Sequence, residues 1–208
     1  RYWLHNGFVN VDNEKMSKSI GNVLLVHELL KQAPGEAIRL ALLNAHYRQP
    51  LDWTDTGLAQ AKRMLDRLYG ALRTLGDIDT DHDAVPSAEF LAALNDDLNT
   101  PKALATLFDL ARQANTASDA GEKSRIKGAL LTSANLMGLL QQSADDWFAG
   151  GNGEHDGIDA KEIKRLIEAR HNAKAYKDYA EADRIRDELA SRDIFLEDGP
   201  DGTKWRRT

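Results

Sequence analysis

The chain has 208 residues, of which 42% are hydrophobic and 29% charged, and it contains no cysteine. This composition can bury a core, but it excludes disulfides and thiolate-ligated metal sites within the chain. The formal net charge of −6 excludes a uniformly cationic nucleic-acid surface. No apolar run reaches the roughly eighteen residues of a membrane span. We therefore expect a soluble, cytoplasmic protein of two or three small domains.

A short cationic loop is predicted near the start of the chain. Apolar residues at 8–11 predict a strand, and Asp12-Asn13 predicts a turn after it. Residues 15–22 then run Lys-Met-Ser-Lys-Ser-Ile-Gly-Asn. Two ammonium groups among serine hydroxyls suit the binding of a polyphosphate, and a helix N-terminus directly after the loop would add partial positive charge. The alternative is a solvated loop, which is the commoner state of an arbitrary lysine pair at this spacing.

Helical periodicity dominates the next part of the chain. A short helix should end before Pro34, which cannot continue it. Residues 36–45 are apolar nearly all round, which is typical of a buried helix. Thr54 or Asp55 can cap a longer amphipathic helix, and Gly76 ends that helix.

Three further amphipathic helices predict a small bundle. The polar, aperiodic residues 77–86 before it predict a domain boundary. Ser87 can cap the first helix, and Thr100-Pro101 predicts the start of the second, with the threonine as cap. The third helix is predicted from the apolar residues Ile126, Leu130, Leu136, Leu139 and Leu140.

The last part of the chain begins with glycine-rich residues 149–157, which predict a flexible linker. A helical region follows, with a break near Asp178. The segments 194–198 and 203–207, joined by Gly-Pro-Asp-Gly, predict a β-hairpin. The apolar face of the helical region is predicted to comprise Ile163, Leu166, Ile167, Tyr176, Ala182, Ile185 and Leu189.

Several of these segments resemble one enzyme family. Residues 15–19 match the KMSKS signature of class I aminoacyl-tRNA synthetases letter for letter. The other class signature, His-x-Gly-His, does not occur, and the first residue is Arg rather than Met. Four further segments, in chain order, narrow the resemblance, namely Tyr2-Trp3-Leu4-His5, His46-Tyr47-Arg48, Leu94-Asn95-Asp96-Asp97-Leu98-Asn99-Thr100-Pro101 and Leu196-Glu197-Asp198-Gly199-Pro200-Asp201-Gly202-Thr203-Lys204-Trp205-Arg206. They are similar to the cysteinyl-tRNA synthetase family. We therefore expect the C-terminal part of a longer protein of that family.

The resemblance implies a mainly α fold. Helical bundle domains would follow a remnant of a Rossmann catalytic domain, and a small α+β domain ending in a β-hairpin would close the chain. The implied domains are the catalytic end with the KMSKS loop at 1–24, a stem-contact helical region at 25–76, a DALR-type anticodon-binding bundle at 77–148, the linker at 149–157 and a C-terminal anticodon-recognition domain at 158–208.

The resemblance also implies a reaction and the residues that take part in it. The intact protein would activate cysteine with ATP and transfer it to tRNA(Cys), acting as a monomer with no membrane partner. Lys18, and with it Lys15, would be catalytic by stabilising negative charge on the phosphates, while Met16, Ser17 and Ser19 complete the ATP-binding loop. The family binds zinc through Cys, His and Glu ligands. Because this chain has no Cys, we expect that site outside it and expect the chain alone to be inactive.

Anticodon recognition is expected in the C-terminal segment. A GCA anticodon presents donors on its bases, and carboxylates are natural acceptors for them. We expect Asp183 and Asp198 to accept from bases. Phosphates would be bound by Lys174, Arg206 and Arg207, and bases would stack on Tyr179 or Trp205. Two structural alternatives stay open, namely that Asp183 pairs with Arg186 on one helix face and that Trp205 closes the hairpin core.

Two other functions fit parts of the sequence. A ligase that joins cysteine to an amino sugar has a similar catalytic half and lysine loop, but it needs no anticodon domain such as residues 159–208. A stand-alone RNA-binding module would need no catalytic half at all.

Overall fold

A computed structural model describes residues 1–80, 83–150, 158, 160–199 and 202–207. The chain forms two compact units, Arg1–Ser143 and Ala144–Thr208. The prediction of a mainly α protein is confirmed, since 56% of the structure is helical. None of the described helices combines the length and apolar character that a bilayer crossing demands.

The elements of the two units, within the described residues, are as follows. The first unit contains β1 Val9–Val11, β2 Glu14–Lys15, α1 Val26–Leu29, α2 Gly35–Leu43, β3 Leu51–Trp53, α3 Asp55–Leu75, α4 Ala88–Asn95, α5 Thr100–Thr116 and α6 Ala120–Leu136. The second contains α7 Ala144–Phe148, α8 Ala160–Ala175, α9 Tyr179–Ala190, β4 Ile194–Gly199 and β5 Gly202–Arg207.

A small sheet with strand order β2-β1-β3 begins the first unit. The predicted strand and turn are confirmed: β1 and β2 pair antiparallel, and Asp12 and Asn13 turn between them with φ of 50° and 66°. Strand β3 pairs with β1 in parallel. Just before β1, the Gly7 N–H donates to the Tyr47 carbonyl at 2.7 Å. A Cβ on Gly7 would lie 2.2 Å from the Gln49 carbonyl oxygen, so the close approach requires glycine.

Helix α3 is the central helix of the first unit and packs against both α2 and α5. Its predicted ends are confirmed. Thr54 is the N-cap and accepts a hydrogen bond from the Gly57 N–H at 3.0 Å, and Gly76 is the C-cap with φ of 61°. Trp53, at the end of β3, is buried with 6% exposure.

Helix α2 is buried on one side only. Ala37, Ile38 and Leu40 are buried, whereas Leu42 is 48% exposed. The prediction that this segment is buried all round is therefore wrong. The helix packs on α3, and the opposite side faces solvent.

One helix start in the bundle is confirmed and one differs from the prediction. Ser87 caps α4 as predicted, by accepting from the Phe90 N–H at 3.1 Å. The cap of α5, however, is Asn99, whose side chain accepts from the Lys102 N–H at 3.1 Å. Thr100 is the first helical residue instead.

Helix α6 ends earlier than predicted. It stops at Leu136, which is 58% exposed, whereas Leu139 and Leu140 are buried beyond its end. Gly138 and Leu140 have φ of 67° and 56°, so the chain turns sharply here. Apolar residues on both sides of such a turn mimic helical spacing, which explains why the predicted helix was too long.

Glu36 holds that turn in place. Its carboxylate accepts from the N–H groups of Leu140 and Gln141, each at 3.0 Å, and from the Tyr69 hydroxyl at 2.9 and 3.0 Å. Burial, together with the neighbouring Glu36 carboxylate, raises the pKa of the Tyr69 phenol above its usual range. One side chain therefore connects α2, α3 and the segment after α6.

The segment after α3, where the sequence predicted a domain boundary, is bonded to α6. The Lys127 ammonium donates to the carbonyls of Gly76 and Ile78 at 2.8 and 2.7 Å, and the Ser124 hydroxyl donates to the Asp79 carbonyl at 2.7 Å. The helices before and after this segment belong to one compact unit. The proposed division of the first unit into domains stays a prediction.

The second unit is built from the α8–α9 helix pair and the β4–β5 hairpin. The predicted hairpin and the break near Asp178 are confirmed, since Asp178 caps α9. Helix α7 was not predicted, although it buries Trp147 and Phe148. Most of the predicted linker and the Pro200-Asp201 turn lie outside the described residues. The core is formed by Ile163, Leu166, Ile185, Leu189 and Ile194, with Leu196 and Trp205 packed against it.

Tyr176 corrects one further prediction. It was assigned to the apolar face of the helical region, but it lies in the turn between α8 and α9 and is 86% exposed. The helix ends one residue before it, so helical spacing no longer directs its side chain toward the core.

Candidate nucleotide and RNA-binding sites

The KMSKS segment forms a closed loop held by Asn22. The Asn22 side-chain oxygen accepts from the Ser17 N–H at 2.8 Å, and its amide group donates to the Lys15 carbonyl at 3.4 Å. The Gly21 N–H donates to the Ser17 carbonyl at 3.2 Å, and Gly21 has φ of 76°. A left-handed residue is needed to close the loop, and glycine adopts it at no steric cost.

The two lysines stay exposed on this loop. The Lys15 ammonium lies 4.3 Å from the centroid of the Phe8 ring, a cation–π contact. Within the described part of the chain, neither Lys15 nor Lys18 forms an ion pair. Both positive charges are therefore available to an anion from outside.

The other three loop residues shape the backbone. The Met16 N–H donates to the Val9 carbonyl at 3.2 Å, which ties the loop to β1. The Ser17 hydroxyl accepts from the Ile20 N–H at 3.4 Å and lies 3.2 Å from the Ser19 hydroxyl.

The expected helix N-terminus at the loop is absent. The chain stays non-helical from Met16 to Leu25, and α1 is a single turn of four residues. The positive potential of the loop therefore comes from its lysines and backbone N–H groups.

Strand β3 fixes the position of the hairpin that carries the loop. The Asp52 carboxylate accepts from the Asn13 N–H at 2.8 Å, and the Trp53 carbonyl accepts from the Asp12 N–H at 3.2 Å. Because Trp53 is buried, these bonds anchor an exposed loop to the core of the first unit.

Two of the family-like segments meet at Asp97. Its carboxylate accepts from Arg48 Nε at 2.6 Å, from Arg48 Nη2 at 3.0 Å and from the Tyr47 hydroxyl at 2.7 Å. These donors, Arg48 first, lower the pKa of Asp97 to about 2. Asp97 and Leu98 both have positive φ, 55° and 52°. Both segments resemble the family in sequence, but their contact could not be predicted, because the residues lie about fifty positions apart.

Asp198 is fully engaged within the second unit. Arg170 binds it in a bidentate pair at 2.9 and 3.0 Å, Lys174 at 2.9 Å and the Thr203 hydroxyl at 2.7 Å. These hydrogen bonds, that of Arg170 first, hold the pKa of the carboxyl well below its usual range. A carboxylate offers about four lone-pair sites, and four donors fill them here.

The structure therefore brings Lys174 and Asp198 together and adds Arg170, which the sequence analysis missed. Arg170 is only 7% exposed. It lies four residues before Lys174 on α8, and that spacing of two cations on one helix face was the available signal.

Asp183 differs from Asp198. It is exposed on α9, and in the described part of the chain it forms no ion pair, including none with Arg186. Tyr179 begins the same helix and is 63% exposed. These two residues have polar and aromatic groups open to a partner.

The three predicted residues of β5 make internal contacts. Trp205 is half-buried against the core of the second unit, in agreement with the alternative that it closes the hairpin core. Arg206 Nε pairs with Glu197 at 3.0 Å, and the Arg207 guanidinium donates to the Ile158 carbonyl at 2.9 Å. Of the three, Arg206 is the exposed one.

Among the described residues, no cluster of three His, Cys, Asp or Glu side chains is placed to hold a metal ion.

Comparison with known families gives three matches in succession. The tRNA synthetases class I (C) catalytic domain matches residues 1–63, the DALR domain matches residues 89–141, and the cysteinyl-tRNA ligase anticodon binding domain matches residues 159–206. Together with the lysine loop, this succession of domains assigns the chain to the class I aminoacyl-tRNA synthetases.

The relatives specify the member of that class. The chain is 64% identical over 208 residues to a cysteine–tRNA ligase of Parvibaculum lavamentivorans, with 99% of the chain aligned. It is 54% identical to that of Paramagnetospirillum magneticum and 52% identical to that of Rhodospirillum rubrum, in each case over 100% of the chain. The chain belongs to the cysteinyl-tRNA synthetase family.

The alignment covers part of each relative. The chain spans 44% of the Parvibaculum protein and 45% of each of the other two, and it corresponds to their C-terminal part.

Proposed function

We propose that this chain supplies the ATP loop and the tRNA-binding parts of a cysteine–tRNA ligase, which activates cysteine with ATP and transfers it to tRNA(Cys). The observation that carries the proposal is the lysine loop. It is closed by Asn22 and anchored to the strand that ends at the buried Trp53, and its two ammonium groups form no ion pair with any described residue. Preformed cationic loops of this kind suit the phosphates of ATP.

The loop would act on the first step of the reaction. The cysteine carboxylate attacks the α-phosphorus, the bond from that phosphorus to the bridging oxygen breaks, and pyrophosphate leaves with the electron pair. Negative charge grows on the phosphate oxygens, and Lys18, assisted by Lys15, would stabilise it. Met16, Ser17 and Ser19 would hold the loop around the nucleotide. Residues 1–24 and β3 would then be the end of a Rossmann-type catalytic domain, with the parallel β1–β3 pair as its remnant.

The family's zinc belongs to the same proposal. It would bind the cysteine thiolate elsewhere in the protein, because its own ligand set includes a Cys and this chain has none. No step proposed for these residues depends on it. The proposal retains a monomeric, cytoplasmic enzyme.

Anticodon recognition is proposed for one face of the second unit. Asp183 would accept from an anticodon base and Tyr179 would stack on one, because both are exposed. Lys174 and Arg206 would bind phosphates. Arg207 and Trp205 would support the hairpin beside them.

Asp198 needs a more specific role in this proposal. Its four internal donors mean that a base donor must share a lone-pair site with Arg170, Lys174 or Thr203. Asp198 would therefore accept a hydrogen bond from the base and, at the same time, hold the Lys174 ammonium in place.

The amino-sugar ligase alternative is disfavoured by a specific finding. The anticodon binding domain matched at residues 159–206 has no use in a ligase that acts on a sugar. The stand-alone RNA-binding alternative is disfavoured by the catalytic-domain match at residues 1–63.

The anticodon assignment is tested by titrating the 208-residue chain with tRNA(Cys) and with a tRNA(Cys) carrying a changed anticodon. Asp183→Asn should weaken binding to the cognate tRNA by about 1 to 3 kcal/mol, the range for a lost base contact. The two affinities should then converge, because the altered tRNA already lacks that contact. Asp187→Asn, one turn further along α9, is the matched control and should retain the preference. An unchanged preference in Asp183→Asn would remove Asp183 from the site.

A further inference from the structure

The connection between α2 and β3 is held by residues of a distant turn. Asp97 belongs to the turn between α4 and α5, and its carboxylate accepts from the Arg48 guanidinium and the Tyr47 hydroxyl. The Thr100 hydroxyl, at the start of α5, donates to the Ala45 carbonyl at 3.4 Å. Two side chains and one carbonyl of the connection are therefore bonded to one short stretch of the chain.

The backbone of this turn is strained where the contacts form. Asp97 and Leu98 have φ of 55° and 52°, and a bulky residue such as leucine rarely enters the left-handed region. Two successive non-glycine residues persist there only when the surrounding structure over-determines them. Strain of this kind clusters at functional sites. The backbone conformation therefore indicates that Asp97 does more than close a turn.

The same connection is bonded to the residues just before β1. The Tyr47 carbonyl accepts from the Gly7 N–H at 2.7 Å, and the Phe8 carbonyl accepts from the Leu51 N–H at 2.9 Å. A side chain on Gly7 would collide with the Gln49 carbonyl, so the two segments are in direct backbone contact. A displacement of the connection therefore displaces Gly7 and Phe8 with it.

Phe8 and the first residue of β1 hold the start of the lysine loop. The Lys15 ammonium lies 4.3 Å from the centroid of the Phe8 ring, and the Met16 N–H donates to the Val9 carbonyl at 3.2 Å. Phe8 is 64% exposed, so its backbone sets the position of the ring more than packing in a core does. The ring therefore holds Lys15 where the connection and β1 place it.

We infer that Asp97 is a positioning residue for the lysine loop. It acts through the Tyr47 main chain on Gly7 and Phe8, and the Phe8 ring then sets the place of the Lys15 ammonium. This inference rests on the proposed function, which places the loop at the phosphates of ATP. Asp97 lies within the DALR match and outside the residues matched by the catalytic domain. The helical bundle therefore contributes to the geometry of cysteine activation without touching ATP or cysteine.

The test is a double-mutant cycle in the intact synthetase, measured by cysteine-dependent ATP–pyrophosphate exchange. Asp97→Asn should lower kcat/KM for ATP about tenfold, because a cation displaced by about 1 Å loses much of its effect on the transition state. In a Lys15→Ala background the same substitution should change kcat/KM less than about twofold, because the positioned cation is already gone. A folding defect would instead lower the rate by the same factor in both backgrounds.

Phe8→Leu is the second variant of the test. It removes the ring that holds Lys15 and keeps an apolar side chain at an exposed position, so the fold should be unaffected. It should lower kcat/KM for ATP as much as Asp97→Asn does, and the two substitutions together should be no worse than either alone. Asp96→Asn is the matched control, because Asp96 is the exposed neighbour that pairs with Lys102 at 3.6 Å. This control should retain wild-type exchange.

The outcomes separate the inference from the proposed function. Wild-type exchange in Asp97→Asn or in Phe8→Leu would overturn the inference, and so would an equal loss with and without Lys15. A large loss in Lys18→Ala, measured at the same time, would show that the proposed function still holds. Normal exchange in Lys18→Ala would overturn the role proposed for the loop and the inference with it.

Discussion

Asn22 decides the shape of the lysine loop, because its side chain bonds both the Ser17 N–H and the Lys15 carbonyl. The KMSKS letters predicted which side chains carry charge, because charge is a property of the residue type. The hydrogen bonds that hold the loop form because the Asn22 side chain turns back on Lys15 and Ser17. The residue types alone do not predict that conformation. The same applies to Arg170, whose pairing with Asp198 spans 28 positions.

Lys18 is predicted to act on chemistry and not on tRNA binding. In the intact synthetase, Lys18→Ala should lower the rate of cysteine-dependent ATP–pyrophosphate exchange by roughly 10² to 10³, by analogy with the loss of an oxyanion-stabilising donor. The tRNA dissociation constant should stay nearly unchanged. Lys31→Ala is the control, because Lys31 is an exposed lysine engaged by Glu28. Loss of tRNA binding with normal exchange would show that the loop has another role.

The elements of both units show how far local sequence determines structure. Helix α3 was predicted at both ends because its cap, its apolar spacing and its terminal glycine agree. Helix α5 was predicted with the wrong cap, since Asn99 and Thr100 are adjacent and both can cap. Helix α7 was missed because five residues are too few to show a period. Tyr176 and Leu140 were misplaced because apolar spacing continues past helix ends where the backbone turns.

Glu36 is predicted to contribute more to the stability of the first unit than an exposed glutamate such as Glu28 does. Glu36→Gln replaces one acceptor oxygen by a donor that faces an N–H group, and it should lower the free energy of unfolding by about 1 to 3 kcal/mol. Glu28→Gln, which affects only exposed pairs with Lys31 and His27, should change it by less than about 1 kcal/mol. Urea unfolding of both variants measures the difference. Equal small effects would mean that the turn after α6 is held by apolar packing alone.

The Asp97 contact predicts a pH dependence of the first unit. Because the pKa of Asp97 is about 2 in the folded chain and 3.8 in the reference state, its contribution is complete above about pH 4. The contribution should be lost as the pH falls from about 4 toward 2. Asparagine also tolerates positive φ, so Asp97→Asn removes the charge without backbone strain.

The measurement compares the urea stability of the wild type and Asp97→Asn at pH 6, 4 and 3. The stability gap should narrow as the pH falls. A gap of constant size would mean that the variant acts through a change unrelated to ionisation.

At the scale of the whole molecule, the described sites are distributed along the chain. The lysine loop and the Asp97 contact lie in the first unit, and the Asp198 cluster and Asp183 lie in the second. The sequence predicted the order of these regions, because each has its own composition and motif. It did not predict the compact first unit, which continues past residues 77–86 because Lys127 and Ser124 bond to backbone carbonyls there.

The 208-residue chain by itself is predicted to carry out no cysteine-dependent pyrophosphate exchange and to bind no zinc. The His-x-Gly-His signature and the thiolate ligand are both absent from its sequence. Exchange above a protein-free blank, or one zinc per chain after dialysis, would contradict this. Binding of tRNA by the same sample shows that the protein is folded and serves as the positive control.

The burial of the tryptophans makes the two units separately observable by fluorescence. Trp53 is buried in the first unit, Trp147 is buried in the second, and Trp3 is 88% exposed. A variant that keeps only Trp53 emits from the core beside the lysine-loop hairpin, and one that keeps only Trp147 emits from the unit of the anticodon domain. Because indole emission shifts to the red on exposure to water, each variant follows the unfolding of its own unit.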